Sequence, residues 1–298
     1  MDKIHKGKIL DKVSDYSVID CSNCNFKHLL PYPNKEELGK FYSKKYYQSY
    51  KPNYFTEDLK DEEYLNIAFD ERLQIISKLT NGKNILDVGC GAGNFMAFSK
   101  KRGWNPVGIE PSNMAAKRAQ NSGLNVFEGE LEGFVEINEK KFDVIHLKNV
   151  LEHVISPEKT LINCMQLLKE DGIVYTEVPN DYQMIQKFAV KLLKERKSWI
   201  SVPDHINYFN FKSFRNLLAK VGLKPVKRTT SFPIYMLLLI GYNFISNKKE
   251  GIKAHQIRVN FELFWDKVRL RLIKNMIYSI LSFLHMGRTI IFYSKKQL

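Results

Sequence analysis

The stretch "NILDVGCGAGNF", residues 84–95, decides how the rest of the chain is read. An apolar run, Ile85-Leu86, ends in an acid, Asp87, and then Gly89, Gly91 and Gly93 stand at every second position. Glycine tolerates positive φ and lets a ligand press against bare main chain. An apolar run, a glycine turn and a helical pattern read as strand, loop and helix. That is how a nucleotide-binding α/β domain begins.

The same alternation continues outward. Strands are expected at 84–88, 105–110, 125–128, 142–147 and 172–178, with helices at 92–102, 112–121 and 157–169. Pro157 marks the start of the last helix and Asp171-Gly172 its end. A helix over 210–223 and strands near 224–230 and 288–294 complete the pattern. Strands alternating with helices predict a doubly wound, Rossmann-like sheet of seven strands with helices on both faces. Ligands on such sheets sit beyond the carboxyl ends of the strands, where the glycine turn lies.

Composition narrows the class. The 298 residues are 44% hydrophobic and 26% charged, as in ordinary soluble domains. The opening "MDKIHKGKIL" has no apolar core of leader length. The longest apolar run, "FPIYMLLLIGYNFI" (232–245), is shorter than the roughly 20 residues that span a bilayer. Four cysteines suggest a reducing cytoplasm rather than a disulfide framework. The net charge of +14 suits nucleic acid, an acidic membrane or a phosphorylated small molecule, and equally a merely lysine-rich chain.

Which nucleotide is decided by glycine spacing. A dinucleotide site wants Gly-x-Gly-x-x-Gly, and that register meets Asn94 where the third glycine belongs. What stands is Asp-x-Gly-x-Gly-x-Gly. With it the chain resembles the class I S-adenosylmethionine-dependent methyltransferases over about residues 84–230. "ILDVGCGAG", "VGIEPS", "FDVIHLKNVLEHVISP" and "LLKEDGIVYTEVPN" follow the order of that family's motifs. The resemblance implies S-adenosylmethionine as cofactor and S-adenosylhomocysteine as product. It places Asp87, Gly89, Gly91 and Gly93 at the methionine end, and Glu110 at the ribose hydroxyls. Glu130 and Leu131 fall near the adenine edge, and Lys148 near the methionine end. The physics agrees: the cofactor has no pyrophosphate to cradle, and its ammonium wants an acid near the loop.

The organisation expected is an N-terminal substrate or lid region at 1–60, a cofactor-binding core at 61–230, a basic and apolar helical insertion at 231–286, and a final strand and tail at 287–298. In the insertion, Lys248–Lys274 carries eight Lys or Arg against three acids. Two readings stand, a helical cap and a peripheral contact with the inner membrane.

Methyl transfer from a sulfonium is an in-line displacement, and holding the reactants in line is worth about 7–11 kcal/mol. A hydroxyl or carbon acceptor also needs a base, worth roughly 10²–10⁴-fold. "VPDHINYFNFKSF" (202–214) brings Asp204, His205, Tyr208 and Phe209 together and resembles the Glu-His-x-x-Tyr-Phe motif of sugar methyltransferases, with Asp204 replacing Glu. That makes His205 the candidate base, with Asp204 and Tyr208 beside it; the alternative is a loop-fixing or substrate-binding histidine. The N-terminal "CSNCNFKHLLPYPNKEELGKFYSKKYY" resembles the entry region of the same branch, where two Cys-x-x-Cys pairs bind structural zinc. Only Cys21 and Cys24 are present here. His5 and His28 stand at untypical spacings for the missing donors, so a metal-free remnant is expected. Tyr42, Tyr46 and Tyr47 read either as a lid or as the aromatic core of a small appended domain.

The resulting expectation is an enzyme that methylates a small carbohydrate or phosphorylated acceptor, such as a building block of a bacterial surface polysaccharide. Two readings compete with it. A nucleic-acid methyltransferase would fit the charge, although "EVPND" lacks the motifs that reach a base. A catalytically silent binding partner would keep the fold without the chemistry. Acceptor atom and oligomeric state stay open.

Overall fold

A computed structural model describes residues 5–34, 38 and 61–297; Tyr42, Tyr46 and Tyr47 lie outside the described residues. In chain order the elements begin with strands β1 (Gly7–Val13), β2 (Tyr16–Cys21) and β3 (Lys27–Leu30). Then come α1 (Glu62–Ser77), β4 (Asn84–Val88), α2 (Asn94–Lys101), β5 (Asn105–Glu110), α3 (Asn113–Asn121) and β6 (Val126–Glu128). The chain continues through α4 (Leu131–Ile137), β7 (Phe142–Lys148), α5 (Pro157–Leu167), β8 (Leu168–Pro179) and α6 (Met184–Leu193). It closes with β9 (Asn207–Tyr208), α7 (Phe211–Lys220), β10 (Leu223–Thr230), α8 (Tyr235–Leu239), α9 (Lys248–Lys267), α10 (Arg271–Phe283) and β11 (Thr289–Lys296).

Seven strands form one sheet in the order β10-β11-β8-β7-β4-β5-β6, the mostly parallel sheet expected. β4 pairs in parallel with both β5 and β7, and β5 with β6. The central strands are buried on both faces, so their sequences run apolar without alternation. Ile85 and Leu86 in β4, Val144 and Ile145 in β7, and Ile173 and Val174 in β8 have no exposed surface.

The residues cluster into two compact units. One contains the described residues of Pro33–Thr176, Leu218–Val226 and Tyr293–Leu298; the other contains those of Met1–Tyr32, Glu177–Leu217 and Lys227–Phe292.

In the first unit, α3 buries Ala115, Ala116 and Ala119, and Ala116 and Ala119 share one apolar cluster with Met96, Leu124 and Val126. Small side chains there let the helix approach closely. Asp143, at the start of β7, accepts hydrogen bonds from the Asn84 main chain (2.9 Å) and side chain (2.8 Å) and from Lys169 (2.7 Å), tying three neighbouring strands at one end. Burial opposes that carboxylate's charge, but the Lys169 and Asn84 donors outweigh it and hold its pKa below the usual value.

In the second unit, β1, β2, β3 and β9 form a separate four-stranded sheet, and the β1–β2, β2–β3 and β3–β9 pairings are antiparallel. Val18, Leu29, Tyr182, Trp199, Tyr208, Tyr235 and Leu238 belong to one apolar core. The segment expected to be helical at 231–286 holds α8, α9 and α10. Among the described residues no helix is long and apolar enough to cross a membrane.

Expected helix ends move inward: α7, expected to reach residue 223, ends at Lys220. The helix expected to reach residue 169 ends at Leu167, and β8 begins at once with Leu168. Asp171-Gly172 therefore lies inside a strand rather than stopping a helix.

Candidate cofactor site

The glycine loop leaves β4 tied to the end of the neighbouring strand β5. The Gly89 and Cys90 main-chain N–H groups donate to the Ile109 carbonyl at 2.8 and 3.1 Å, bending the loop toward the end of β5. All three loop glycines have left-handed φ, +71° at Gly89, +57° at Gly91 and +80° at Gly93. Gly93 is also pressed by its surroundings: a Cβ there would lie 2.4 Å from Leu124 Cδ1 and 3.2 Å from Ala119. The glycine at the head of α2 is thus demanded by backbone conformation and by packing, besides any ligand.

Glu110 ends β5 and is buried. Its carboxylate accepts from the Gly91 N–H (2.8 Å) through one oxygen and from the Ser112 N–H (2.9 Å) through the other. A carboxylate has about four acceptor positions, so each oxygen keeps capacity for a further donor such as a ribose hydroxyl. Burial raises the Glu110 pKa, the two main-chain donors oppose that, and the nearby Asp87 adds to it.

Asp87 is not the solitary acid that its motif suggests. It is buried, and its Oδ1 accepts from His146 Nδ1 at 2.6 Å. His146 Nε2 lies 3.0 Å from Arg72 Nη1. Guanidinium only donates, so Nε2 accepts and the proton sits on Nδ1: the imidazole is neutral. Burial, the largest influence, lowers the His146 pKa below its ordinary value; Asp87 opposes, while Arg72 and Lys148 reinforce the lowering. The imidazole stacks between Phe95 (4.3 Å between ring centres) and Tyr175 (4.8 Å). The Arg72 guanidinium stands 4.6 Å over the Tyr175 ring. Neither Arg72 nor His146 was singled out by sequence. The one legible trace was a histidine inside the otherwise apolar strand "FDVIHL".

Glu130 occupies the N-cap position of α4 and is exposed, while Leu131, one residue on, is buried. Lys148 ends β7, half-buried, and Asn149 after it takes a left-handed φ of +53°. These residues, the glycine loop, Asp87 and Glu110 all belong to one unit.

Asp204, His205 and Tyr208 belong to the other. Asp204 is buried, and its Oδ2 lies 3.9 Å from His205 Nε2, beyond hydrogen-bond reach. The pair expected from sequence exists as a charge neighbour and not as a bonded dyad. Tyr208 lies in β9, pairs with Lys27 of β3 and is buried. Its ring stands 6.0 Å from Tyr182 and 6.5 Å from His205, and burial raises its pKa. Cys21 ends β2 and Cys24 follows in the turn; neither is joined in a disulfide among the described residues.

Comparison with known proteins agrees with this geometry. The ubiquinone biosynthesis O-methyltransferase of Actinobacillus pleuropneumoniae serotype 7 is 38% identical over 122 residues, 37% of this chain and 52% of the relative. The protein of the same name from Pasteurella multocida is 35% identical over 127 residues, with 37% and 52% covered. The chain spans about half the length of the curated relatives it matches. Among solved structures, a SAM-dependent methyltransferase from Archaeoglobus fulgidus shares the fold with a TM-score of 0.51 at 18% identity, over 82% of this chain and all of that one. The plantazolicin methyltransferase BamL, solved with a triazolic desmethyl-plantazolicin analogue and SAH, gives 0.54 at 16% identity over 89% and 97%. Residues 60–228 match a family model described as a methyltransferase domain. That match covers more than half of the chain and takes in the glycine loop, Glu110 and the Asp87–His146–Arg72 series: the chain belongs to the methyltransferase-domain family.

Proposed function

We propose that this protein transfers the methyl group of S-adenosylmethionine to an oxygen of a small-molecule acceptor. The observation that carries the reading is the Glu110 carboxylate, held at the end of β5 by the Gly91 and Ser112 N–H groups with acceptor capacity to spare for two vicinal hydroxyls. In the reaction the acceptor oxygen attacks the sulfonium methyl, the carbon–sulfur bond breaks toward sulfur, and S-adenosylhomocysteine leaves. A neutral hydroxyl must also lose its proton. His205, partly exposed with the Asp204 carboxylate 3.9 Å away, is the base in this reading. An oxygen acceptor is supported by relatives named as O-methyltransferases.

A second reading takes the acceptor as a sugar or nucleotide sugar. The run Asp204-His205 followed by Tyr208-Phe209 favours it, through its likeness to the sugar-methyltransferase motif.

Calorimetry with S-adenosylmethionine and S-adenosylhomocysteine tests the cofactor. Binding is expected for both, with Glu110→Gln weakening it at least about tenfold, or 1.4 kcal/mol. A wild-type chain that binds neither would overturn the reading. For the acceptor, methyl uptake is compared across nucleotide sugars and hydroxylated aromatic compounds. His205→Ala should lower turnover on the responding acceptor by roughly 10²–10⁴-fold while leaving cofactor affinity unchanged.

A further inference from the structure

The N-terminal sheet gathers four side chains that the sequence scatters. His5 precedes β1, Cys21 ends β2, Cys24 sits in the β2–β3 turn and His28 lies in β3. One ligand-type atom from each lies within 4.8 Å of the other three. The arrangement has identifiable local causes. The β1–β2 ladder pairs Gly7 with Cys21, and a Cβ at Gly7 would lie 2.0 Å from the Asp20 carbonyl oxygen. Only glycine lets the two strands close at that point and bring His5 beside the thiols. The turn after Cys21 is knotted by Asn25 N–H donating to the Cys21 carbonyl (2.9 Å) and Ser22 N–H donating to that of Lys6 (2.9 Å).

We propose that His5, Cys21, Cys24 and His28 form a structural zinc site. Tetrahedral zinc with bonds of about 2.3 Å to sulfur and about 2.05 Å to nitrogen sets its sulfur and nitrogen ligands about 3.5 Å apart. His5 Nδ1 lies 3.4 Å from Cys24 Sγ and 3.7 Å from Cys21 Sγ. His28 supplies the independent sign. It is completely buried, its Nδ1–H donates to the Leu29 carbonyl at 2.9 Å, and its Nε2 has no hydrogen-bond partner. A buried imidazole nitrogen without a partner is costly. An imidazole whose other nitrogen donates to a main-chain carbonyl is the usual form of a metal-bound histidine. Two thiolates and two imidazoles favour zinc over harder cations, and four protein donors leave no open position for chemistry. Tyr32 encloses the group: its ring lies 5.1 Å from His28 in a stacked arrangement and 5.0 Å from His5 edge-on.

The proposal departs from the expectation of a metal-free remnant. Spacing alone set His5 sixteen residues from Cys21 and nineteen from Cys24, and only strand pairing brings it back.

Elemental analysis of the untagged full-length chain tests the site, after growth in zinc-supplemented medium and dialysis without chelator. One zinc per chain is expected. Exchange for cobalt(II) should give the strong visible bands of a tetrahedral site with thiolate-to-cobalt charge transfer. Cys24→Ser should lose at least nine-tenths of the zinc. Because that variant could unfold, His5→Cys is the second arm: it keeps a donor, so it should keep the metal and strengthen the charge-transfer band. A folded wild-type chain with less than about a tenth of an equivalent of zinc, and no tetrahedral cobalt spectrum, would overturn the proposal. So would full zinc retention by a folded Cys24→Ser chain.

Discussion

Asp87 and Glu110 are both acids at strand ends, yet their surroundings give them different work. Glu110 holds two main-chain N–H groups, so it shapes the loop that would also receive a ligand. Asp87 is the outer member of a buried series whose far end is the Arg72 cation. Removing that end leaves the His146 Nε2 acceptor buried without its donor, at a cost of roughly 1–3 kcal/mol. Arg72→Met should therefore lower unfolding stability by that amount in a denaturant titration; an unchanged midpoint would mean that the guanidinium does not hold the imidazole. The neutral state of His146 predicts a pH effect as well. Its folded pKa lies below its ordinary value of 6.5, so the unfolded chain binds the proton more readily. That contribution to stability is full above the ordinary histidine range and is lost as pH falls below it. Between about pH 7.5 and 5.5 the melting temperature should drop less in His146→Gln than in the wild type. Equal drops would show that His146 titrates alike in both states. The two acids and three glycines were legible in sequence because they are a local motif. Arg72 and His146 were not, because their meeting depends on packing between residues 74 positions apart.

At the scale of elements, local chemistry gave starts better than stops. Helix α5 begins at Pro157, where the Ser156 side chain caps the Lys159 N–H at 3.3 Å, and Pro at the first helical position needs no donor. Its end was misread because Asp171-Gly172 resembles a helix stop. Leu168 is buried as the first residue of β8, and that tertiary demand ends the helix at Leu167, two residues short of the expected 169. The loop-to-helix junction at Gly93 gives a sharper test. Alanine there would need a φ of +80° and place Cβ 2.4 Å from Leu124. The strained conformation alone costs about 1 kcal/mol, and the clash adds to it. Gly93→Ala should melt earlier than the wild type and bind S-adenosylmethionine more weakly. Leu124→Ala carries its own cavity cost, so the comparison is a cycle: Gly93→Ala should cost less in a Leu124→Ala background than in the wild type, since the smaller side chain removes the clash and leaves the backbone strain. If Gly93→Ala costs the same in both backgrounds, steric contact with Leu124 is not the cause.

For the molecule as a whole, the excess of 46 basic over 32 acidic residues raises the question of a nucleic-acid substrate. The placement of the charges bears on it. Lys169 pairs with Asp143, Lys220 with Glu158, Lys253 with Glu250 and Lys27 with Asp20, so cations along the chain are set against acids. The Glu262 carboxylate is met by the buried Lys274 ammonium at 3.1 Å and by the Tyr278 hydroxyl, which draws one of the basic insertion's cations inward. A groove that tracks a phosphate backbone instead presents its cations together, and each neutralised phosphate adds about one unit to the slope of binding against salt. The excess charge here should act as a diffuse field: weak, sequence-independent binding at low ionic strength, lost by about 0.2 M salt. Filter binding of single- and double-stranded oligonucleotides across a salt series measures this. Methyl uptake should likewise be unaffected by added RNA at physiological salt. Submicromolar binding that survives about 0.2 M salt, or methyl incorporation into the oligonucleotide, would move the acceptor from a small molecule to a nucleic acid while leaving the cofactor site as it stands.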